Sequence, residues 1–252
     1  MERRLAPLAG TEAGRREVGL GAGGDRTVEM DRVAEEIILS ELAKLAARGE
    51  RFSVLSEETG RVDHGASFPL VLVDPLDGSL NAKQGLPVFA VMLSLLDGPT
   101  LGTTRLAVVK NAASGQLFTV RRGHGLFAGD ARVTPLSSPH GIELLGVEST
   151  PESIFAVAPL LRRAGKIRLV GSMAVSLAAT ATGALAVFCS PIPARAVDMA
   201  AGMLMISEVG GVVTDLAGRT LDGLKAELSE RSTILAASDP RLHRLALDTL
   251  SR

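Results

Sequence analysis

The sequence contains no tryptophan and no tyrosine, and its aromatic content is 3% of 252 residues, all phenylalanine. Stacking platforms for single-stranded bases are therefore not expected. Neither sign of charge dominates. A count of 27 Lys and Arg against 28 Asp and Glu leaves a net charge of −1, which argues against a nucleic-acid-binding face and a charged disordered tail. Cysteine is limited to Cys189, which excludes an internal disulfide framework and a zinc–cysteine cluster and fits a reducing cytoplasm. That residue reads as a small buried apolar group. The four histidines, His64, His124, His140 and His243, lack metal-ligand spacing and read as loop or surface positions. The N-terminus carries no apolar run of the kind a secretory signal needs.

One long stretch, between Arg168 and Arg195, has no charge at all. A membrane span needs about 20 predominantly apolar residues. This one is diluted by Ser172, Ser176, Thr180, Thr182 and Gly183 and broken at Pro191 and Pro193. It reads as a buried helix feeding a buried strand, so no membrane partner is expected.

What the chain does have is apolar material, 46% of residues, enough at this length to bury a real core. Residues 1–17 are charged and irregular, which predicts a frayed start, and the Gly-rich stretch 19–27 predicts a mobile loop. That stretch is no dinucleotide fingerprint, because no strand precedes it and the glycine spacing is wrong. Helical periodicity runs over 30–47. Strand patterns follow at 52–58, 70–73, 86–96, 104–111 and 115–129. Beyond about residue 132 strands near 144–148, 167–170, 185–189 and 233–236 alternate with helices near 151–164, 172–184, 198–209 and 240–251. Two halves, 1–130 and 131–252, are expected to meet without a flexible linker.

Acids recur at the ends of the apolar segments. "VLVDPLDGSLNA" puts Asp74 and Asp77 after a buried strand, "VLSEETG" puts Glu57 and Glu58 after another, and Asp198 opens an apolar helix in "ARAVDMAAGMLMISEVGG". Taken singly, each is also ordinary turn or helix-cap chemistry. Together they form a set of carboxylates that repel one another unless a cation intervenes. With no His or Cys at hand, hard oxygen ligands suit Mg²⁺ or Mn²⁺.

These segments resemble the inositol monophosphatase superfamily of Mg²⁺-dependent, lithium-sensitive phosphatases. "DPLDGSLN" (74–81), "SEETG" (56–60) and "DMAAGMLMISEVGG" (198–211) match its three motifs in order, and "RLVGSMAVSLAATATG" is similar to its Gly-Ser helix. The resemblance runs from about residue 19 to the end and is nearest to archaeal-type members that act on fructose 1,6-bisphosphate and inositol 1-phosphate. It implies an α/β fold, the layered αβαβα sandwich, commonly as a homodimer. The N-terminal half would carry most metal ligands and the C-terminal half Asp198 and the substrate contacts.

The resemblance also implies roles. Glu57, Asp74 and the carbonyl of Leu76 would hold one Mg²⁺, and Asp74, Asp77 and Asp198 a second, with Glu58 at a weaker third site. Asp31, Ser79 and Glu57 would form the catalytic set, Ser79 orienting a water and Asp31 taking its proton. Backbone N–H groups of Gly78 and Ser79 would hold phosphate. Gly171, Ser172 and Arg195 would meet the rest of a small phosphate ester. The family's acidic position after Gly183 is missing, with Ala186 and Val187 in its place, and Pro191 replaces a Glu or Arg. These departures leave open a narrow inositol-1-monophosphatase, a nucleotide-phosphate phosphatase, or a non-catalytic binding protein on this fold.

Overall fold

The computed structural model describes residues 2–251, with side chains over 4–251. Its first strands, β1 (Glu17–Leu20) and β2 (Arg26–Val28), form a hairpin. Eight strands form the large sheet: β3 (Ser53–Ser56), β4 (Gly60–Asp63), β5 (Leu70–Asp77), β6 (Ala90–Leu96), β7 (Thr104–Asn111), β8 (Leu117–Arg121), β9 (Gly125–Ala128) and β10 (Ala131–Arg132). Their order is β10-β9-β8-β7-β6-β5-β3-β4, antiparallel except where β3 runs parallel to β5. The small sheet takes β11 (Leu144–Val147), β12 (Lys166–Arg168), β13 (Val187–Arg195), β14 (Val212–Thr214) and β15 (Arg231–Ala237) in the order β12-β11-β13-β15-β14.

Helices separate and cover the sheets. Short α1 (Glu2–Leu5) and α2 (Glu12–Arg15) accompany the long α3 (Glu29–Ala47) on the outside of the large sheet, and α4 (Ser79–Gln84) follows β5 directly. Between the sheets lie α6 (Met173–Ala181) and α7 (Ala196–Glu208), while α5 (Ala158–Arg163) and α8 (Pro240–Leu250) cover the small sheet's far face. The result is the αβαβα sandwich.

Side-chain alternation explains the layering. In β5, Leu70 and Leu72 join the central core against α6 and α7, whereas Val73 joins Ile38, Phe52 and Val54 under α3. In β13, Phe188 faces inward and Val187 and Cys189 face α5 and α8; Ile234 and Leu235 of β15 divide the same way. A strand buried on both faces must be apolar throughout, which is why these segments lack the polar alternation of a surface strand. Burial also pushes the Cys189 thiol up to about 12, so it is inert.

Several expectations are corrected. Residues 2–15 are folded down: Leu5 is 1% exposed among Val28, Met30 and Leu76, and Gly10 N–H donates to the Ala82 carbonyl at 2.9 Å. The Gly-rich stretch is the β1–β2 hairpin, tied to the site because Ala22 and Gly23 N–H groups donate to the carbonyls of Glu58 and Glu57. Strand β13 runs through Pro191 and Pro193 to Arg195, but its pairing with β15 skips from Ser190 to Ala194. Proline has no N–H for the ladder, so the strand bulges there. His243 is buried, its Nε2 3.0 Å from Thr214 Oγ1. Ala186 lies in the apolar core under α8. Among the described residues no helix is long and apolar enough to cross a membrane.

The central helices approach closely at Gly202 of α7, where an added Cβ would come 2.3 Å from Leu177 Cδ1 of α6. Gly202→Val is expected to lower stability by about 1–3 kcal/mol, the usual cost of overpacking a filled core. A thermal melt reads this as a drop of several degrees, and an unchanged melting temperature would contradict the close approach.

Candidate active site

Parallel pairing of β3 with β5 sets Ser56 opposite Val73, which brings Glu57 and Asp74 side by side. Glu57 follows β3, Asp74 lies within β5, and α7 brings Asp198 in its first turn. One carboxylate oxygen from each of Glu57, Asp74 and Asp198 lies within 4.8 Å of the others. A cavity of about 410 Å³ opens over them, lined also by Asp31, Glu58, Leu76, Asp77, Gly78, Ser79, Gly171 and Arg195. Ser172 lines an adjoining cavity of about 290 Å³, so every residue given a metal, catalytic or substrate role from the sequence borders one of these two cavities.

Backbone bonds fix one oxygen of Asp31, Asp74 and Asp198 and leave the other for chemistry. Asp198, third residue of α7, accepts the Arg195 N–H on Oδ2 at 3.0 Å, while its Oδ1 is buried without a partner. Asp31 does the same at the start of α3, with Val28 N–H on Oδ2 at 2.9 Å and the Ser79 hydroxyl 3.0 Å from Oδ1. Asp74 Oδ1 accepts the Leu76 N–H at 3.0 Å. The helix-cap reading of Asp198 thus holds alongside the cluster reading, because a carboxylate has two oxygens.

Asp77 and Glu58 are placed differently from the close trio. Both oxygens of Asp77 serve the start of α6: Met173 N–H donates to Oδ1 at 3.1 Å, Ala174 N–H to Oδ2 at 2.8 Å, and the Ser172 hydroxyl also to Oδ2. Ser172 is 1% exposed, so its hydroxyl positions Asp77. Glu58 turns toward Thr27, whose hydroxyl it accepts. The Ser79 hydroxyl has one proton and two acceptors, Asp31 Oδ1 and the Leu76 carbonyl at 2.8 Å.

Arg195 is the only cation within the trio among the described residues, its Nη1 2.5 Å from Glu57 and 2.9 Å from Asp25 and its Nε 3.3 Å from Asp198. Burial opposes its charge, but the surrounding carboxylates outweigh that and raise its pKa. One guanidinium does not satisfy the cluster. Burial, and then the charges of Asp198 and Glu58 against the pull of Arg195, push Glu57 up to about 8. Burial lifts Asp77 to about 6 despite its bonds to Ser172 and Ala174. Asp74 is driven well above the usual range by burial and by Glu57, Asp77 and Asp198. Burial likewise raises Asp31.

An all-oxygen donor set, an orphaned Asp198 Oδ1 and net negative charge fit a hard divalent cation. The turn that opens α4 packs closely against the facing loop. Gly78 has φ 84°, and a Cβ there would stand 3.0 Å from the Val88 carbonyl and 3.1 Å from that of Gly171. Asn81 locks this turn to the facing loop, its Nδ2 donating to Val88 and Val170 carbonyls at 2.8 Å.

A model of the inositol monophosphatase family matches residues 6–252. The chain belongs to that family. It is 33% identical over 253 residues to the fructose-1,6-bisphosphatase/inositol-1-monophosphatase of Thermococcus kodakarensis, covering 99% of this chain and 93% of that one. An inositol-1-monophosphatase of Mesorhizobium japonicum is 35% identical over 214 residues, covering 80% and 76%. The solved structure of an extragenic suppressor protein from Bartonella henselae matches with a TM-score of 0.82 at 29% identity, covering 100% of this chain and 94% of that one. As a member of the inositol monophosphatase family the chain is a metal-dependent phosphatase.

Sequence reasoning missed Asp25, Arg26, Lys83, Glu148 and Arg231, which line the two cavities. Glu148 had a legible signal, since it directly follows strand β11 as Glu57 follows β3. Arg231 had none, because only pairing of β15 with β13 sets it opposite Arg195.

The raised carboxyls set a pH dependence. Glu57 keeps its proton in the metal-free fold up to about 8, whereas the unfolded chain loses it near 4.5. The folded state therefore binds more protons across that window, and metal-free stability falls as pH rises through it. A divalent cation needs the same groups deprotonated. The rise in melting temperature on adding Mg²⁺ is expected to grow from pH ~5 to pH ~8, and a rise independent of pH would contradict the assignment.

Proposed function

We propose that this family member is a Mg²⁺-dependent phosphomonoesterase of sugar or inositol phosphates, with fructose 1,6-bisphosphate and inositol 1-phosphate as its substrates. The observation that carries this reading is the convergence of Glu57, Asp74 and Asp198 within 4.8 Å, beside the Ser79–Asp31 pair. The names of its relatives support the substrate pair.

Glu57, Asp74 and Asp198 would hold the cation, with Asp77 and the Leu76 carbonyl alongside. When bound, Mg²⁺ supplies Lewis acidity that lowers the pKa of a water and screens the phosphate charge. The N–H groups that open α4 have no carbonyl partners within the helix and favour an anion. Lys83 and Arg26, which line the same cavity, add positive charge on that side. Ser79 Oγ orients the attacking water by accepting its hydrogen bond; as it takes the water's proton it gives its own to Asp31 Oδ1, whose burial-raised pKa suits it to receive one. Arg195 is held over the cluster by Asp25, Glu57 and Asp198. From there it meets a second phosphate. Glu58, Gly171 and Ser172 complete the surroundings, Glu58 at an outer cation position and the others along the substrate's path. Lithium inhibition, a homodimer and a cytoplasmic setting belong to the same reading.

Phosphate release from both substrates, with Mg²⁺ and with EDTA, tests it. Ser79→Ala is expected to lower kcat by about 10²-fold or more with a small change in KM, and Asp74→Asn to abolish turnover. Release that survives EDTA, or that Asp74→Asn leaves intact, would overturn the reading.

A further inference from the structure

One buried carboxylate oxygen beside the site has no partner in the fold. Glu148 follows β11, its N–H donating to the Cys189 carbonyl at 3.0 Å, and its Oε2 is buried without a hydrogen bond. A buried acceptor left unpaired costs about 1–3 kcal/mol, so one that persists calls for an explanation. Burial lifts this carboxyl to about 7, the charge of Asp77 adding to the effect and a hydrogen bond from the Gly171 N–H opposing it.

The explanation lies in the cavity that Glu148 lines. That space of about 290 Å³ shares Asp25, Asp77, Gly171, Arg195 and Asp198 with the cavity over the carboxylate trio. On the phosphatase reading, this adjoining space is open to the organic part of a phosphate ester held at Gly78 and Ser79. Strand β13 offers only Ile192, Pro193 and Ala194 along this wall before Arg195, and none of these side chains can accept a hydrogen bond. Arg195 and Arg231 border the same space, cross-strand neighbours of like charge. Asp25, Asp77 and Asp198 balance them, and on the phosphatase reading the donors that the ligand's organic part brings to Glu148 are those of a polyol. A hydroxyl fits.

We propose that Glu148 is a specificity-determining residue that accepts a hydrogen bond from a hydroxyl of the substrate's polyol part. The proposal rests on the phosphatase reading above. Glu148 then separates polyol phosphates from esters that carry a phosphate and no hydroxyl, because the latter leave the buried oxygen unpaired.

The test is the ratio of kcat/KM for inositol 1-phosphate to that for 4-nitrophenyl phosphate, measured with Mg²⁺ in wild type, Glu148→Gln and Glu148→Ala. The ratio is expected to fall by about tenfold or more in Glu148→Ala and by less in Glu148→Gln, which keeps shape and one acceptor but loses the charge. Turnover of the aryl ester reports that each variant is folded and competent. In a series of deoxyinositol 1-phosphates, one deletion is expected to cost wild type a similar factor and to cost Glu148→Ala nothing further. An unchanged ratio, or an equal fall on both esters, would overturn the role of Glu148 while leaving the phosphatase standing. Absence of turnover on either ester by metal-loaded wild type would instead overturn the phosphatase reading, and this inference with it.

Discussion

Mutual repulsion of buried carboxylates is the constraint on which this structure turns. Two like charges 4.8 Å apart cost roughly 3 kcal/mol at an effective dielectric of about 20, and Glu57, Asp74 and Asp198 make three such pairs within that distance. Folded domains hold a margin of only about 5–15 kcal/mol. The fully ionised trio would consume most of it. Protons relieve the repulsion in the metal-free fold, which is what the elevated carboxyls of Glu57 and Asp74 express. Arg195 relieves part of it at all pH values, and a divalent cation would relieve more while leaving the oxygens ionised.

The fold makes this arrangement by placing each acid where the backbone already needs one. Asp31 and Asp198 both stand third in their helices and satisfy a free N–H at the start, so each helix gains a cap and presents a second oxygen to the cavity. Asp77 caps the start of α6 and so couples the end of β5 to the central layer. Glu35, one turn beyond Asp31 on α3, accepts the Thr59 N–H at 2.9 Å and fixes the turn after Glu57 and Glu58. The site is thus built on the ends of rigid elements, with hydrogen bonds holding each side chain from behind, as a preorganised site requires.

Much of this was legible in the chain because the signals were local. A strand buried on both faces reads as a continuous apolar run, and an acid at its end is visible as an interruption, which is how Asp74, Asp77 and Glu57 stand out. The same signature marked Glu148, but its meaning depends on which cavity the strand end faces, and that is a tertiary fact. The N-terminal segment looked irregular since its one anchoring residue, Leu5, finds its apolar partners on distant elements. Pro191 and Pro193 read as the end of a strand; pairing with β15 on either side of them carried it on to Arg195. His243 gave no sign of burial, since its partner Thr214 lies 29 residues away.

The most direct test of the cation account is anomalous diffraction from crystals of the wild-type protein soaked in Mn²⁺. The expected result is a peak bonded to oxygens of Glu57, Asp74 and Asp198, with Arg195 moved away from Glu57 and the peak lost in Asp74→Asn crystals. No peak in this cluster at saturating Mn²⁺, or a peak that Asp74→Asn leaves in place, would contradict the claim that these buried carboxylates are assembled around a metal.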